Sequence, residues 1–315
     1  MRRLGLILVG LGAFLLVTAM LVKFYAYPKL AVAPKNQDSV TTLVGPGATI
    51  FDTSTLKEVQ TDLTRKVRTI GDVKAADEQG GNAVVWYSKS STKSSDGVVR
   101  SRSTDKVAFN ATTGEAIDCC GTYEETEEGQ PEEITYEGLL VKFPFNTQKQ
   151  TYDFWDGNLR KTFPIKYLGT EEIEGLTVYK FEHVIEPTQY ATIELPLSLL
   201  GEAGEGNVEA PRFYSNTRTL WVEPETGVII KRNEAQDNTI NYNDEPKLTT
   251  TKVSIGYDDV TVKENVDKYA PLASGLKLAR TTLPIGFGLL GLLALIGGAF
   301  LARRPEAEPA AESAA

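Results

Sequence analysis

Apolar residues crowd the two ends of the chain, and between those ends they alternate with polar ones in short runs. Leu4 to Val22 carries no charge and is bracketed by Arg2 and Arg3 before it and Lys23 after it. A run of that length spans a bilayer core as a helix. Leu283 to Leu301 repeats the arrangement, between Lys277 and Arg280 on one side and Arg303 and Arg304 on the other. Ala31-Val32-Ala33 offers the small residues of a signal-cleavage site, but the apolar run is longer than a signal core and Pro34 follows the cut, so a retained anchor is expected. Basic residues sit tight against the outer ends of both runs, which puts both termini in the cytoplasm and the chain between them on the far side of the membrane. The expected organisation is therefore a helix within 1–22, an outer domain over 23–280, a helix over 283–301, and a disordered cytoplasmic tail over 302–315, where Ala, Glu and Pro offer no core.

The outer domain is punctuated by turn sequences such as Gly45-Pro46-Gly47, Asp96-Gly97, Thr113-Gly114, Gly157-Asn158 and Asn243-Asp244. Between them stand β-branched and aromatic runs, among them Asn82 to Tyr87, Thr177 to Val184 and Val228 to Lys231, which predict strands. Long helical periodicity is absent. The fold class expected is mainly β, a large antiparallel curved sheet or partial barrel between two transmembrane helices. A faint internal repeat aligns Val107 to Ile117 with Leu220 to Ile230, each a strand, a turn ending in Thr-Gly and a second strand. Two further blocks match in the same order, including Phe51-Asp52 with Phe154-Trp155-Asp156, so duplication of one unit over 48–120 and 151–232 stands beside chance likeness between meanders.

Charge and rare residues narrow the chemistry. The chain carries 33 basic and 42 acidic residues, a net charge of −9, and most of the acidic excess lies in the outer domain, which disfavours a nucleic-acid partner. Six glutamates between Tyr123 and Glu133 lack the ordered Asp/Asn spacing of a calcium loop and predict a solvated loop. The one histidine, His183, lies in an expected strand, and no nucleophile elbow, zinc-protease motif or phosphate-binding loop occurs. One His and two adjacent Cys cannot build a tetrahedral metal site, so no metal or cofactor is expected. Cys119 and Cys120, followed by Gly121, would form either a vicinal disulfide, which we favour, or a bridge to another chain.

Aromatic residues are frequent on the expected strands, and the ordinary account of them is a sheet core. A sharper expectation is an apolar cavity for a lipid-like ligand, lined by Trp86, Phe143, Phe154, Trp155, Tyr179, Phe181 and Trp221. In the anchors, Gly5, Gly12 and Ala19 recur every seven residues, and Gly288, Gly291, Ala294 and Gly298 share one arc of the second helix. Small stripes of this kind let membrane helices approach closely, within one chain or between chains.

Read in order, the N-terminal span, Ala48-Thr49-Ile50-Phe51-Asp52, Tyr136-Glu137-Gly138-Leu139, Lys142-Phe143-Pro144-Phe145, Gly175 to Phe181, Trp221 to Val228 and the C-terminal span resemble the PorA-like family of actinobacterial membrane proteins. The resemblance covers nearly the whole chain and is carried most by the Tyr-x-Gly-Leu and Trp-Val-x-Pro-x-Thr-Gly blocks. It implies a cell-envelope location and a porin label, and it supplies no catalytic residues. A lipid-embedded β-barrel needs an outward apolar band, whereas charges such as Lys166 and Arg212 stand beside the strand aromatics here. The leading expectation is a non-enzymatic envelope protein in the membrane that binds or scaffolds an apolar, lipid-like component or a protein partner, with no expectation about oligomeric state. A porin-like channel former is the alternative, and an envelope hydrolase using His183 or an acidic pair is a third.

Overall fold

The computed structural model describes residues 2–126 and 128–303. The expected disordered tail lies outside the described residues beyond Arg303. The chain divides into two compact units, Met1–Val32 with Leu272–Ala315, and Ala33–Pro271.

In the first unit, helix α1 (Arg2–Leu21) packs against helix α5 (Leu283–Ala302). A π-helical turn, Val22–Ala26, joins α1 to the short α2 (Tyr27–Leu30), and a second, Leu278–Thr282, precedes α5. Small residues bring the two backbones together: a methyl group added at Gly12 would lie 2.6 Å from the Gly291 carbonyl oxygen, and one at Gly5 would lie 2.7 Å from that of Gly298. Away from this seam, Phe14, Met20, Leu293 and Ile296 are exposed. Both helical stretches are long and apolar enough to cross a membrane, where such side chains face lipid at no cost.

The second unit is a single antiparallel sheet of twelve strands that does not close. In chain order they are β1 (Asp38–Asp52), β2 (Lys57–Gly71), β3 (Ala83–Ser94), β4 (Val99–Asn110), β5 (Tyr123–Glu125) and β6 (Glu132–Glu133), then β7 (Tyr152–Asp156), β8 (Lys161–Ile173), β9 (Leu176–Pro196), β10 (Asn207–Val222), β11 (Ile229–Tyr242) and β12 (Glu245–Tyr257). Each set of six is a meander whose strands pair in sequence, and the two lie edge to edge because β1 pairs with β12. The remaining seam separates β5 and β6 from β7. At one end, single-residue bridges step across it from Phe109 to Ala116, from Glu115 to Leu139, and from Leu139 to Phe154. Further along, Arg160 ties the β7–β8 turn to Glu124 at 3.3 Å and Glu132 at 2.5 Å. Beyond those ties, Val99–Ser103 of β4 pairs only with β3, and β9 from Val184 onward pairs only with β10, among the described residues.

The two meanders repeat their local construction. The Asp52 carboxylate accepts from the amides of Ser54 and Thr55, and the Asp156 carboxylate accepts from those of Asn158 and Leu159, each folding the turn after the first strand. Each aspartate then meets an arginine of the fourth strand of its own meander, Arg100 at 3.3 Å and Arg218 at 3.1 Å. After the fourth strands, Asn110 and Glu223 cap the next turns in the same way, and Gly114 and Gly227 complete them at φ 76° and 72°. These two glycines grip neighbouring residues of one segment. A methyl group at Gly114 would lie 2.7 Å from the Lys142 carbonyl oxygen, and one at Gly227 would strike the Phe143 carbonyl, whose own amide donates to Gly227 at 2.7 Å.

Two local features differ from expectation, the glutamate-rich stretch and a helix that follows β12. The glutamate-rich stretch supplies β5 and β6 at its ends, since Tyr123 pairs with Glu133, while Glu127 lies outside the described residues. Leu197–Leu200 forms a 3-10 turn that buries Leu195 and Leu200 over Ala210, Ile240 and Leu248. Helix α4 (Asp259–Lys277) adds a long helix to a domain expected to be mainly β: in a polar segment, Val262 and Val266, with Tyr269 beside them, cover Val178 and Ile230 on the sheet's outer side. A stripe that narrow is hard to see as periodicity. A short α3 (Val73–Gln79), capped by Asp72, covers Val85 and Ala108.

Gly227→Ala should lower the unfolding temperature in mild detergent well beyond Gly175→Ala. The second site has a similar φ of 79° but open space around it, so it should lose only about 1 kcal/mol to backbone strain. Equal losses at the two sites would show that the grip on Phe143 contributes nothing.

Candidate functional site

Strand alternation sends one set of side chains to the inner face of the sheet and the other outward. Outward positions carry exposed charges, including Lys66, Arg68, Lys89, Lys166 and Lys252. The inner face is where the chain departs from an ordinary sheet. Along β10, Tyr214, Asn216, Arg218, Leu220 and Val222 are all buried and point the same way, so polar and charged groups share the face with the core.

Arg218 is the centre of this interior. Its Nε donates to Glu234 at 2.8 Å, its Nη2 to Asp156 at 3.1 Å, and its Nη1 to the Trp155 carbonyl at 3.1 Å. Glu234 in turn accepts from Arg232, from Asn216 at 3.1 Å and from Gln236 at 2.7 Å, while Tyr214 donates to Asp156 at 3.0 Å. Burial alone would raise the Glu234 carboxyl, but the guanidinium groups of Arg218 and Arg232 overcome it and hold the group well below the ordinary carboxylate range. Register explains the convergence: Arg218 pairs with Glu234 on β11 and with His183 on β9.

The inner face continues polar across the first meander. Arg65 of β2 donates to Ser90 of β3 at 3.1 Å, and Ser90 shares a hydrogen bond of 2.9 Å with Ser103 of β4. Asp105 follows on β4, its carboxyl pushed up to about 6 by burial and by Glu124 beside it, against the opposing pull of Arg65. The His183 imidazole is drawn down to about 4 by burial and then by Arg218, and neither ring nitrogen has a hydrogen-bond partner among the described residues. Apolar clusters flank this layer. One gathers Leu139, Phe143, Phe154, Ile165, Phe181, Leu220, Val222 and Ile229, and another gathers Leu195, Leu200, Ala210, Ile240 and Leu248.

The aromatic residues singled out by sequence fall in several places. Phe143, Phe154 and Phe181 pack together, with ring centroids 5.9 and 4.6 Å from Phe143, and are 0–2% exposed, so they fill space. Tyr179 stands at the edge of that cluster against Tyr167. Trp86 and Trp155 belong to a separate cluster, edge-on to Phe109 and Tyr136 respectively. Trp221 lies on the outer face, donating to Glu171 at 2.7 Å between Lys180 and Lys231. The sulfurs of Cys119 and Cys120 are joined to each other beside Ala76, Val85 and Ala108. In the helices, Gly5, Gly12, Ala19, Gly291 and Gly298 are buried, Ala294 is half-buried, and Gly288 faces open space.

Sequence reasoning missed the charged interior, because Arg and Glu on alternating strand positions look like a solvent face. The one available signal was that both faces of β10 and β11 are polar over Asn216–Thr219 and Lys231–Gln236, a pattern that an ordinary half-buried strand does not need.

Two outcomes follow from this chemistry. Arg218→Met, which strands two buried carboxylates, should cost about 3–5 kcal/mol in denaturant unfolding, whereas Arg68→Met on the outer face should leave the midpoint unchanged. His183 binds its proton more weakly when folded than when unfolded, so it contributes stability above pH 6.5 that is lost as pH falls toward 4. His183→Phe should recover up to about 3 kcal/mol of that acid loss, read from thermal unfolding across the interval.

The sequence profile of the family described as Porin PorA matches residues 4–300. Among curated relatives, the chain is similar to Porin PorA of Corynebacterium amycolatum, at 23% identity over 94% of this chain and 97% of that protein. It is also similar to Porin PorA of Corynebacterium resistens (strain DSM 45100 / JCM 12819 / GTC 2026 / SICGH 158), at 27% identity over 56% of this chain and 58% of that protein.

Proposed function

We propose that this chain, which belongs to the Porin PorA family, is a non-enzymatic, porin-like protein of the cell envelope that admits hydrophilic, charged solutes to the inner face of its sheet. The observation that carries this reading is the interior itself: charged groups from β2, β4, β7, β10 and β11 converge where a binding or scaffolding domain would hold apolar side chains. Family membership agrees with a porin-like role, and the relatives' name is the only activity they contribute.

In this reading the terminal helices hold the protein in the membrane with both termini cytoplasmic and the sheet outside, as the basic residues at the outer ends of the helices favour. The charged outer face keeps the sheet in water. Solutes enter at the unclosed seam, past Arg160 and its ties to Glu124 and Glu132, where β4 and β9 have unpaired edges. A lipid-like occupant has less to recommend it, because Phe143, Phe154 and Phe181 leave no surface to cover. A hydrolase built on His183 has no support either, since neither ring nitrogen contacts a nucleophile or an orienting acid.

Full-length protein reconstituted in planar bilayers should show discrete conductance steps in potassium chloride. Arg160→Ala, which frees the seam without touching the buried network, should change their lifetime or size. Silence at every protein concentration and detergent exchange tested would remove the porin-like reading.

A further inference from the structure

Arg65 is an interior cation that the fold leaves without a counter-charge among the described residues. Two other inner arginines have carboxylates in hand, Arg218 with Asp156 and Glu234, and Arg232 with Glu234. Arg65 has no carboxylate within ion-pair distance among the described residues. Among the described residues its hydrogen bond goes to the neutral Ser90 hydroxyl, and its Nε is buried without a partner. Enclosing a guanidinium without a counter-charge costs several kcal/mol, so the surroundings matter.

Those surroundings do not supply the missing charge. Arg65 lies in one cross-strand row with Leu43 and Tyr257, whose other neighbour strand, β11, carries Arg232 near the same level. Arg232 acts on Arg65 with the same sign, while Asp105 and Glu234 only partly offset it from a distance. Asp105 is itself poorly held in its charged form, and Glu234 is already engaged by four side chains. Around Arg65 stand hydroxyl donors, Ser90 and Ser103. Arg65 and Tyr257 are each half-buried, so part of either side chain remains accessible.

We propose that Arg65 is the anchor of an oxyanion-binding site inside the sheet, which takes a phosphate group with help from Ser90, Ser103 and Arg232. A guanidinium presents a fixed fork of N–H donors that matches phosphate geometry, and hydroxyls complete the remaining oxygens. The phosphate belongs either to a free solute or to a lipid headgroup, and the chemistry of the site is the same for both. This inference rests on the preceding reading for the way in through the seam, but not for the site itself.

The test uses full-length protein in mild detergent, titrated with inorganic phosphate or with soluble dihexanoyl phosphatidate, against chloride at equal ionic strength. A ligand bound only by the folded state raises the unfolding temperature in a saturable way. Phosphate should do so, and Arg65→Gln should weaken its apparent affinity at least tenfold, while Arg68→Gln on the outer face of the same strand should not. A response to phosphatidate alone assigns the site to a headgroup, and a response to both assigns it to the phosphate group as such. Should Arg65→Gln fail to fold, Arg65→Lys keeps the charge but loses the fork, and broadening of the inorganic phosphate signal in phosphorus NMR, reversed by sulfate, reads the wild type directly. Responses to phosphate and phosphatidate no larger than to chloride, or equal in wild type and the Arg65 variants, would overturn the site. Binding without bilayer conductance leaves the site and removes the porin-like reading; conductance without binding does the reverse.

Discussion

The sheet depends on one guanidinium. Arg218 holds the end of β7 through Asp156 and the middle of β11 through Glu234, two strands far apart in the sheet order. Hydrogen bonds between neighbouring strands fix only local pairing, so something must decide how tightly the second meander bends. A buried cation with two carboxylates does that, because each charge is costly unless its partner stays in place. The aromatic cluster around Phe143 and Phe181 adds area and dispersion to the same curvature, but it does not specify register as an ion pair does.

Much of the architecture was legible in the sequence. Uncharged runs at Leu4–Val22 and Leu283–Leu301 named the membrane helices, and β-branched runs between turn signals named the strands. The matching Thr-Gly turns at Thr113-Gly114 and Thr226-Gly227 stand at corresponding places, after β4 and after β10, and both are closed by a capping side chain and a left-handed glycine. What could not be read was which face of each strand would be enclosed. In Asn216-Thr217-Arg218-Thr219 both faces are polar, and only the closeness of β7 and β11 makes Arg218 interior and Thr217 exterior. Trp221 shows the converse, an aromatic residue whose neighbours Lys180 and Lys231 place it on the outer face. Helix α4 escaped notice because two valines and a tyrosine are its apolar contacts with that cluster.

The family name and the surface chemistry bear on each other. A lipid-embedded barrel shows lipid an apolar exterior and encloses a wet interior. In this sheet a charged layer lies in the interior between apolar clusters, and the exterior carries Lys66, Arg68, Lys166 and Lys252. The apolar surface is concentrated instead on the two terminal helices. The surface suited to lipid and the charged interior thus belong to separate parts of the chain.

The pairing of β1 with β12 has a mechanical consequence. Leu43 lies opposite Tyr257 in antiparallel register, so the chain enters and leaves this unit side by side. A pull on those two ends peels the strands apart one rung at a time, as a zipper opens, and does not load every rung at once. Tension applied there is absorbed at the first few rungs and the adjoining Thr42–Thr261 contact, while the strands that surround Arg218 stay unloaded.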